Sequence, residues 1–454
     1  MHTHPRARRL GVLLATIGLL AGATSVAAVP PTPSFTAPVR LGFPGGDDWE
    51  PSIAADQSGH VYAFWTHYVN FQGNGAGDSD PTCADCGSPH MDLQISSDGG
   101  ANWSSPRAPF PTLTREDDPQ IVVDPADGST VYASYMQDNH SSQYVARSTD
   151  FGAHWTTMLV EPLSRGTDKD ILAVRGPDLY LVYHTLMKIF VSQSHDGGAT
   201  WTTDNLLNGT TNSQFGQSLP SGGAVDSQGR VFFAWNGYNN NGQAKGTVNL
   251  FITKSLDNGA TWITTRIDTS QAPPQCSCGG WAFWGGQMAL AVDGSDRVYV
   301  LWNANRTKFG PQRMYFARSN DHGVTWSSPA DVSAAPLGSN NVFPALTAGT
   351  GGDVRIAWMD DRNGFDAGGN DPNARWNTYY RSSTDGGSTW SAEVKLSAFV
   401  AGYTYKFATP MDGYLQPYGD YFEMDINSSG KTVALWGEGN SYAGPGNIWF
   451  ARQQ

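Results

Sequence analysis

This chain of 454 residues predicts an all-β fold. The expected architecture is a β-propeller of four-stranded antiparallel blades, seven in number with six as the alternative, its last blade closed by the N-terminal strand. Three observations carry that expectation. The octamer Ser-x-Asp-x-Gly-x-x-Trp is written six times, at intervals of 46 to 64 residues. Each copy is preceded by two short apolar runs joined by a turn rich in Gly, Asp or Ser, which reads as a hairpin. A seventh pair of runs follows the last octamer, and no segment shows a long helical period.

The octamers span Ser96 to Trp103, Ser148 to Trp155, Ser194 to Trp201, Ser255 to Trp262, Ser319 to Trp326 and Ser383 to Trp390. Their aspartates are Asp98, Asp150, Asp196, Asp257, Asp321 and Asp385. Ser and Asp carry short side chains that hydrogen-bond nearby backbone groups and close a turn without help from the core. Gly permits a φ above zero, and Trp buries a large ring that locks the turn to its surroundings. The six aspartates are therefore expected to be hairpin staples rather than catalytic groups.

The strand pairs follow in chain order. Ser52–Asp56 with Val61–Trp65, Gln120–Asp124 with Val131–Tyr135, and Ile171–Val174 with Leu179–Tyr183 open the first three blades. Val231–Trp235, Val298–Trp302 and Val354–Trp358 are second strands of the next three, and the seventh pair is Phe422–Ile426 with Thr432–Trp436. Asn447–Arg452 then echoes Arg313–Arg318, and blade 7 is left without an octamer or an outer strand. Phe35–Leu41 resembles the segments that follow octamers, such as Trp390–Leu396, and is expected to supply that strand, removing an exposed edge.

Residues 1–28 read as a signal peptide: Arg6, Arg8 and Arg9, then apolar Leu10–Leu20, then small residues at Ser25–Ala28. The apolar run is too short for a membrane span and no other stretch is long enough, so a secreted or periplasmic protein is expected. Residues 29–34 form a Pro-rich linker, and 35–454 a single propeller domain, expected to be a monomer. The net charge of −13 becomes −16 without the leader's arginines, which argues against nucleic acid as a partner. The cysteines lie in two tight pairs, Cys83 with Cys86 and Cys276 with Cys278. In an exported protein, a disulfide within each pair is the expectation and a four-thiolate zinc site the alternative.

In a propeller the loops that enter the innermost strands share one face, opposite the octamers. Those entering segments are 46–51, 115–119, 167–170, 215–218, 284–287, 340–344 and 418–421. They carry polar, often acidic residues that would converge on the central channel. Asp48, Glu50, Asp117 and Asp118 are the acid/base candidates, because crowded carboxylates raise one another's pKa. Asp168, Lys169, Gln217 and Gln287 are the neighbouring substrate-binding candidates. The plainer reading is that these groups cap turns or hold water. No cofactor is expected; calcium is the alternative, at these carboxylates or at Asp366–Asp371, neither of which forms an EF-hand loop. The loop from Asp360 to Asn377 is long enough to be functional and offers Arg362, Arg375 and Trp376 for a carboxylated sugar. Pairing of Arg362 with a neighbouring aspartate is the alternative. A second long loop, 68–91, ends near His90 and Asp92.

The octamer resembles the Asp-box of the sialidase (neuraminidase, BNR-repeat) superfamily, and all six copies match its core positions. The resemblance implies that the boxes sit between the third and fourth strands of a blade, away from substrate. It also implies a carbohydrate partner and a hydrolase using a Tyr nucleophile assisted by a Glu, an Asp acid/base and three arginines. Matched to this sequence, Tyr421 takes the nucleophile position, Glu423 stands two residues on, and Asp48 is the acid/base. The family's early Arg-Ile-Pro motif is absent, with Val39–Pro44 in its place, and Arg115, Arg165, Arg362 and Arg375 do not assemble into the arginine set. The leading expectation is a secreted exo-glycosidase acting on an acidic sugar. A lyase of uronic acid polymers, a non-catalytic propeller that binds glycan or protein, and a structural envelope protein are the other readings.

Overall fold

Seven sheets radiate from a common axis in the computed structural model. It describes residues 1, 29–43, 46–69, 83, 85–138, 140–162, 167–185, 188–206, 217–239, 246–273, 285–362, 377–397, 422–438 and 447–454. From the axis outwards, blade 1 holds Asp47–Ala55, Val61–Tyr68 and His90–Ser96. Blade 2 holds Glu116–Val123, Val131–Gln137, Ser142–Ser148 and Thr156–Pro162. Blade 3 holds Asp168–Arg175, Asp178–Thr185, Lys188–Ser194 and Thr202–Asn205. Blade 4 holds Gln217–Val225, Val231–Tyr238, Val248–Ser255 and Ile263–Ser270. Blade 5 holds Met288–Val292, Val298–Ala304, Arg313–Ser319 and Ala330–Asp331. Blade 6 holds Asn341–Ala348, Val354–Asp360, Asn377–Ser383 and Val394–Lys395.

Blade 7 is shared between the chain ends, as expected. Phe422–Ile426, Thr432–Gly437 and Ile448–Arg452 are completed by Val39–Leu41, which pairs antiparallel with Val39 opposite Phe450 and Leu41 opposite Ile448. The Gln454 N–H donates to the Ser34 carbonyl at 2.9 Å, so the pairing runs to the last residue. Blade 1 departs from the four-stranded expectation. Its outer position is held by one bridge, Leu93 opposite Arg107. Pro106, Pro109 and Pro111 in that segment lack the N–H groups a ladder needs.

The second strands build the core because both faces of each sheet are covered by neighbouring blades. Trp65, Trp235, Trp302, Trp358 and Trp436 are fully buried at equivalent positions. Each indole N–H finds an acceptor: Asp48, Thr253, Asp268, Asp360 and Glu438 respectively, at 2.8–3.0 Å.

The Asp-boxes staple the outer hairpins. In every copy the Ser hydroxyl bonds the Asp carboxylate at 2.7–2.9 Å and accepts the Gly N–H. Two successive residues take left-handed φ, of which the first varies (Gly99, Phe151, Gly197, Asn258, His322, Gly386) and the second is always Gly. Packing explains the invariance at the second position. A Cβ on Gly100 would sit 2.5 Å from Phe450 of blade 7, and one on Gly152 would sit 2.9 Å from Ile95 of blade 1. Each box thus closes its own turn and seats against the preceding blade.

Cys83 and Cys86 form a disulfide. Cys276 and Cys278 lie outside the described residues, as do residues 2–28 and so the signal-peptide assignment. Among the described residues no helix is long and apolar enough to cross a membrane.

Candidate functional site

In blades 1, 2, 3 and 6 the head of the innermost strand carries a β-bulge. The ladder slips between Trp49 and Ser52, between Asp117 and Gln120, between Val342 and Ala345, and beside Asp168 in blade 3. At this slip Glu50, Asp118, Lys169 and Phe343 take left-handed φ of 51° to 58° without being glycine. Bulges re-aim side chains, and strained non-glycine residues cluster at functional sites. The repeat therefore brings one residue from each of blades 1, 2, 3 and 6 to the same place, and in blades 1, 2 and 3 that residue is ionisable.

Around Glu50, Asp118 and Lys169 the structure gathers Asp117, Asp168, Asp170, His140 and His184. The Lys169 backbone N–H donates to Asp118 Oδ2 at 2.9 Å. Arg115 grips Asp117 with two bonds of 2.6 and 2.7 Å. His140, on the hairpin after the second strand of blade 2, places Nε2 3.4 Å from Asp117 and joins Asp118 and Asp168 in one group. His184 Nε2 lies 3.3 Å from Asp168 Oδ2. Thr66 donates to Glu50 at 3.2 Å.

The electrostatics follow from burial. Glu50 is pushed well above the usual carboxylate range by desolvation and then by Asp118, with Lys169 opposing. Desolvation and the neighbouring Asp168 raise Asp118 to about 6. Desolvation also acts upwards on Asp168, but the His184 ring, Lys169 and Asp118 hold it below its ordinary value. Asp170 is raised well above its ordinary value by burial and by Asp118. Among the described residues this is a carboxyl-rich cluster in which burial and mutual repulsion raise Glu50, Asp118 and Asp170.

The other candidates named from sequence fall into different places. Asp48 is fully buried and apart from this cluster; its Oδ1 accepts the Trp65 indole and faces His67 Nδ1 at 2.8 Å each. Glu423 ties three blades together, accepting Ser52 Oγ at 2.6 Å, the Ile53 N–H at 3.0 Å and Gln120 Nε2 at 2.7 Å. Burial lifts it to about 7. Gln287 Oε1 accepts the Phe343 N–H at 3.0 Å across blades 5 and 6. Arg362 is committed to Asp360 and Glu393, with its guanidinium 3.5 Å over the Tyr379 ring. That is the neighbouring-aspartate pairing kept as the alternative. His90 and Asp92 are buried in blade 1, 3.7 Å apart. Gln217 is described only by its strand position opposite Tyr238. Tyr421, Arg375, Trp376 and Asp366–Asp371 lie outside the described residues.

Below the bulges the channel encloses about 320 Å³, lined by Lys169, Gln120, Gln287, Asn236 and Glu423 among others. Sequence reasoning missed His140 and His184. Both sit at hairpin ends, and only the three-dimensional return of those hairpins brings them to the carboxylates.

A seven-bladed propeller with Asp-box staples on one face and a polar, bulge-built channel mouth on the other defines a sialidase-like class of repeat protein. Residues 36–277, more than half the chain, match the BNR repeat-like domain, and the chain belongs to that family. A xyloglucanase from Paenibacillus sp is 27% identical over 318 residues, covering 63% of this chain and 27% of that protein. The chain thus spans about a quarter of the curated relative it matches. Among solved structures, a protein of unknown function from Dyadobacter fermentans aligns with a TM-score of 0.50 and 12% identity, over 94% of this chain and 100% of that one. A Hadza microbial sialidase aligns more loosely, with a TM-score of 0.44 and 15% identity, over 89% of this chain and 65% of that one. These structural likenesses concern the fold.

Proposed function

We propose that this chain is a secreted, glycan-active propeller that hydrolyses a glycosidic bond at the channel mouth formed by blades 1, 2 and 3. One observation carries the reading: three consecutive blades present Glu50, Asp118 and Lys169 from the same strained bulge position. Glycoside hydrolysis needs carboxyl groups on either side of the scissile bond, and Glu50 of blade 1 with the Asp117–Asp118 pair of blade 2 offers more than one such pairing from adjacent blades. The xyloglucanase relative supports a polysaccharide as substrate. The acidic-sugar expectation loses one of its supports, because Arg362 is already held by two carboxylates.

The test is a panel of xyloglucan, sialyllactose and polyuronate, with products read by anion-exchange chromatography. Glu50→Gln is expected to lower kcat by roughly 10²–10⁴-fold, the usual contribution of a general acid or base. A wild-type chain that releases no product from any member overturns the hydrolase reading. The non-catalytic glycan-binding reading is favoured by a specific observation: Asp48 and Glu423, two of the named carboxylates, are tied up in holding the fold. Saturable binding without product is its signature.

A further inference from the structure

We propose that Asp118, His140 and Asp168 form a binding site for a divalent transition-metal ion of the manganese or zinc type, between blades 2 and 3 at the channel mouth. One donor atom from each of the three lies within 4.8 Å of the others. Donors held about 2.0–2.2 Å from a common ion are separated by roughly 3–4 Å, so closing on an ion asks for small side-chain rotations only.

The ring of His140 is oriented for ligation. Its Nδ1 lies 3.1 Å from the Thr167 carbonyl, and that contact calls for an N–H on Nδ1. In the neutral ring Nε2 is then the bare nitrogen, and it faces carboxylate oxygens, Asp117 among them at 3.4 Å. A lone pair facing carboxylates is repulsive unless a proton or a cation stands between them. Metal-binding histidines characteristically donate their other ring nitrogen to a carbonyl in this way. The carboxylates are supported from behind as well, Asp118 Oδ2 by the Lys169 N–H and Asp168 Oδ2 by His184.

Asp170 supplies an independent indication. Its side chain is fully buried, and neither oxygen has a hydrogen-bond partner within bonding geometry among the described residues, although the neighbouring Ser134 hydroxyl acts to lower its pKa. The groups it interacts with electrostatically are Asp118 and Asp168. A buried carboxylate without a donor beside two more carboxylates is costly unless a cation offsets it. Among the described residues, the permanent cations nearby are already engaged. Arg115 is committed to Asp117, and the single charge of Lys169 is spread over Glu50, Asp118 and Asp168. One imidazole with two carboxylates suits manganese or zinc, whereas calcium takes oxygen ligands.

The experiment uses the full chain stripped with EDTA and dialysed. MnCl₂ binding is followed by electron paramagnetic resonance of the free ion, and ZnCl₂ and CaCl₂ binding by calorimetry. One equivalent of Mn²⁺ or Zn²⁺ is expected. His140→Gln and Asp168→Asn should each weaken it at least tenfold, while His154→Ala on the opposite face leaves it unchanged. Circular dichroism verifies that the variants fold, and Asp118→Asn replaces any that does not. Wild-type protein that takes up neither ion overturns the proposal. So does affinity unmoved by the site variants, or calcium binding that survives His140→Gln and exceeds that of the other two ions.

Discussion

Ring closure is the part of this fold most exposed to a single substitution, and Phe450 is the residue to remove. It lies in the last strand of blade 7, 1% exposed, opposite Val39 of the N-terminal strand on one side and Leu435 on the other. Its ring meets the Trp103 indole edge-on at 4.8 Å and fills the space above Gly100, so it joins blade 7 to the first Asp-box. Truncating a buried Phe to Ala costs about 3–5 kcal/mol through lost transfer energy and the cavity left behind. Against a total stability of about 5–15 kcal/mol, that is a large fraction. Deleting residues 447–454 removes Ile448, Trp449 and Phe450 together, at roughly 1.5–3 kcal/mol each, and should leave little cooperative structure. Val39→Ala, at a half-exposed position, should stay within about 0.5 kcal/mol. Urea unfolding followed by both tryptophan fluorescence and circular dichroism measures these losses and checks that the two probes coincide. A loss below about 1 kcal/mol for Phe450→Ala, or a truncated chain that unfolds like the full one, would refute the closure argument.

Two further predictions concern stability. Gly100→Ala combines a left-handed φ of 89° with a contact at 2.5 Å to Phe450, and should cost at least 2–3 kcal/mol. Gly197→Ala, at the variable box position with open space around it, should cost only about 1 kcal/mol of backbone strain; equal losses in thermal melts would count against the packing explanation. The second concerns pH. Burial raises Glu438 to about 8, Glu423 and Asp361 to about 7, and Asp425 to about 6. The folded chain therefore keeps protons that the unfolded chain releases near pH 4, so this stability is complete below about pH 4 and is lost as pH rises through 6 to 8. The box aspartates run the other way. Their hydrogen bonds hold Asp98, Asp150, Asp196 and Asp321 at about 2, and their contribution is lost only in stronger acid. The urea midpoint should peak in mildly acidic buffer and fall between pH 5 and 8; a midpoint that climbs over that range contradicts the assignment.

The fold was legible because its signals are local. Each Asp-box writes its own turn within eight residues, and each hairpin shows as two apolar runs and a turn. The count of seven pairs against six boxes was enough to place Phe35–Leu41 in blade 7, where the pairing with Ile448–Phe450 is found. The outer edge of blade 1 is reduced to one bridge, Leu93 opposite Arg107, in a segment where Pro106, Pro109 and Pro111 lack ladder donors. The row of residues at the strand heads was also legible, since the repeat fixes their position. The partners of those residues were not. Glu423 is bonded to Ser52 across 371 positions of sequence, and His140 reaches Asp168 only because blades 2 and 3 stand side by side. No pattern within a single repeat carries that information.

Phe343 shows that the bulge backbone of blades 1 and 2 does not itself require a carboxyl. It occupies the same bulge in blade 6, with the same left-handed φ, and is 3% exposed. An apolar side chain therefore satisfies the backbone at this point and adds to the core. Glu50 and Asp118 meet the same backbone demand while burying carboxyl groups whose desolvation opposes folding. Replacing a buried charge by an apolar group of similar size is often neutral or stabilising, so the single bonds that Asp118 takes from the Lys169 N–H and Glu50 from Thr66 are the structural return for burying these acids. The Asp-boxes make the contrast plain. Their Asp carboxylates are hydrogen-bonded to the Ser hydroxyl and the turn backbone in all six copies, and the turn needs them. At the mouth the backbone is repeated and the side chains diverge, from Glu to Asp to Lys to Phe. That divergence over a constant scaffold is what the proposed site rests on.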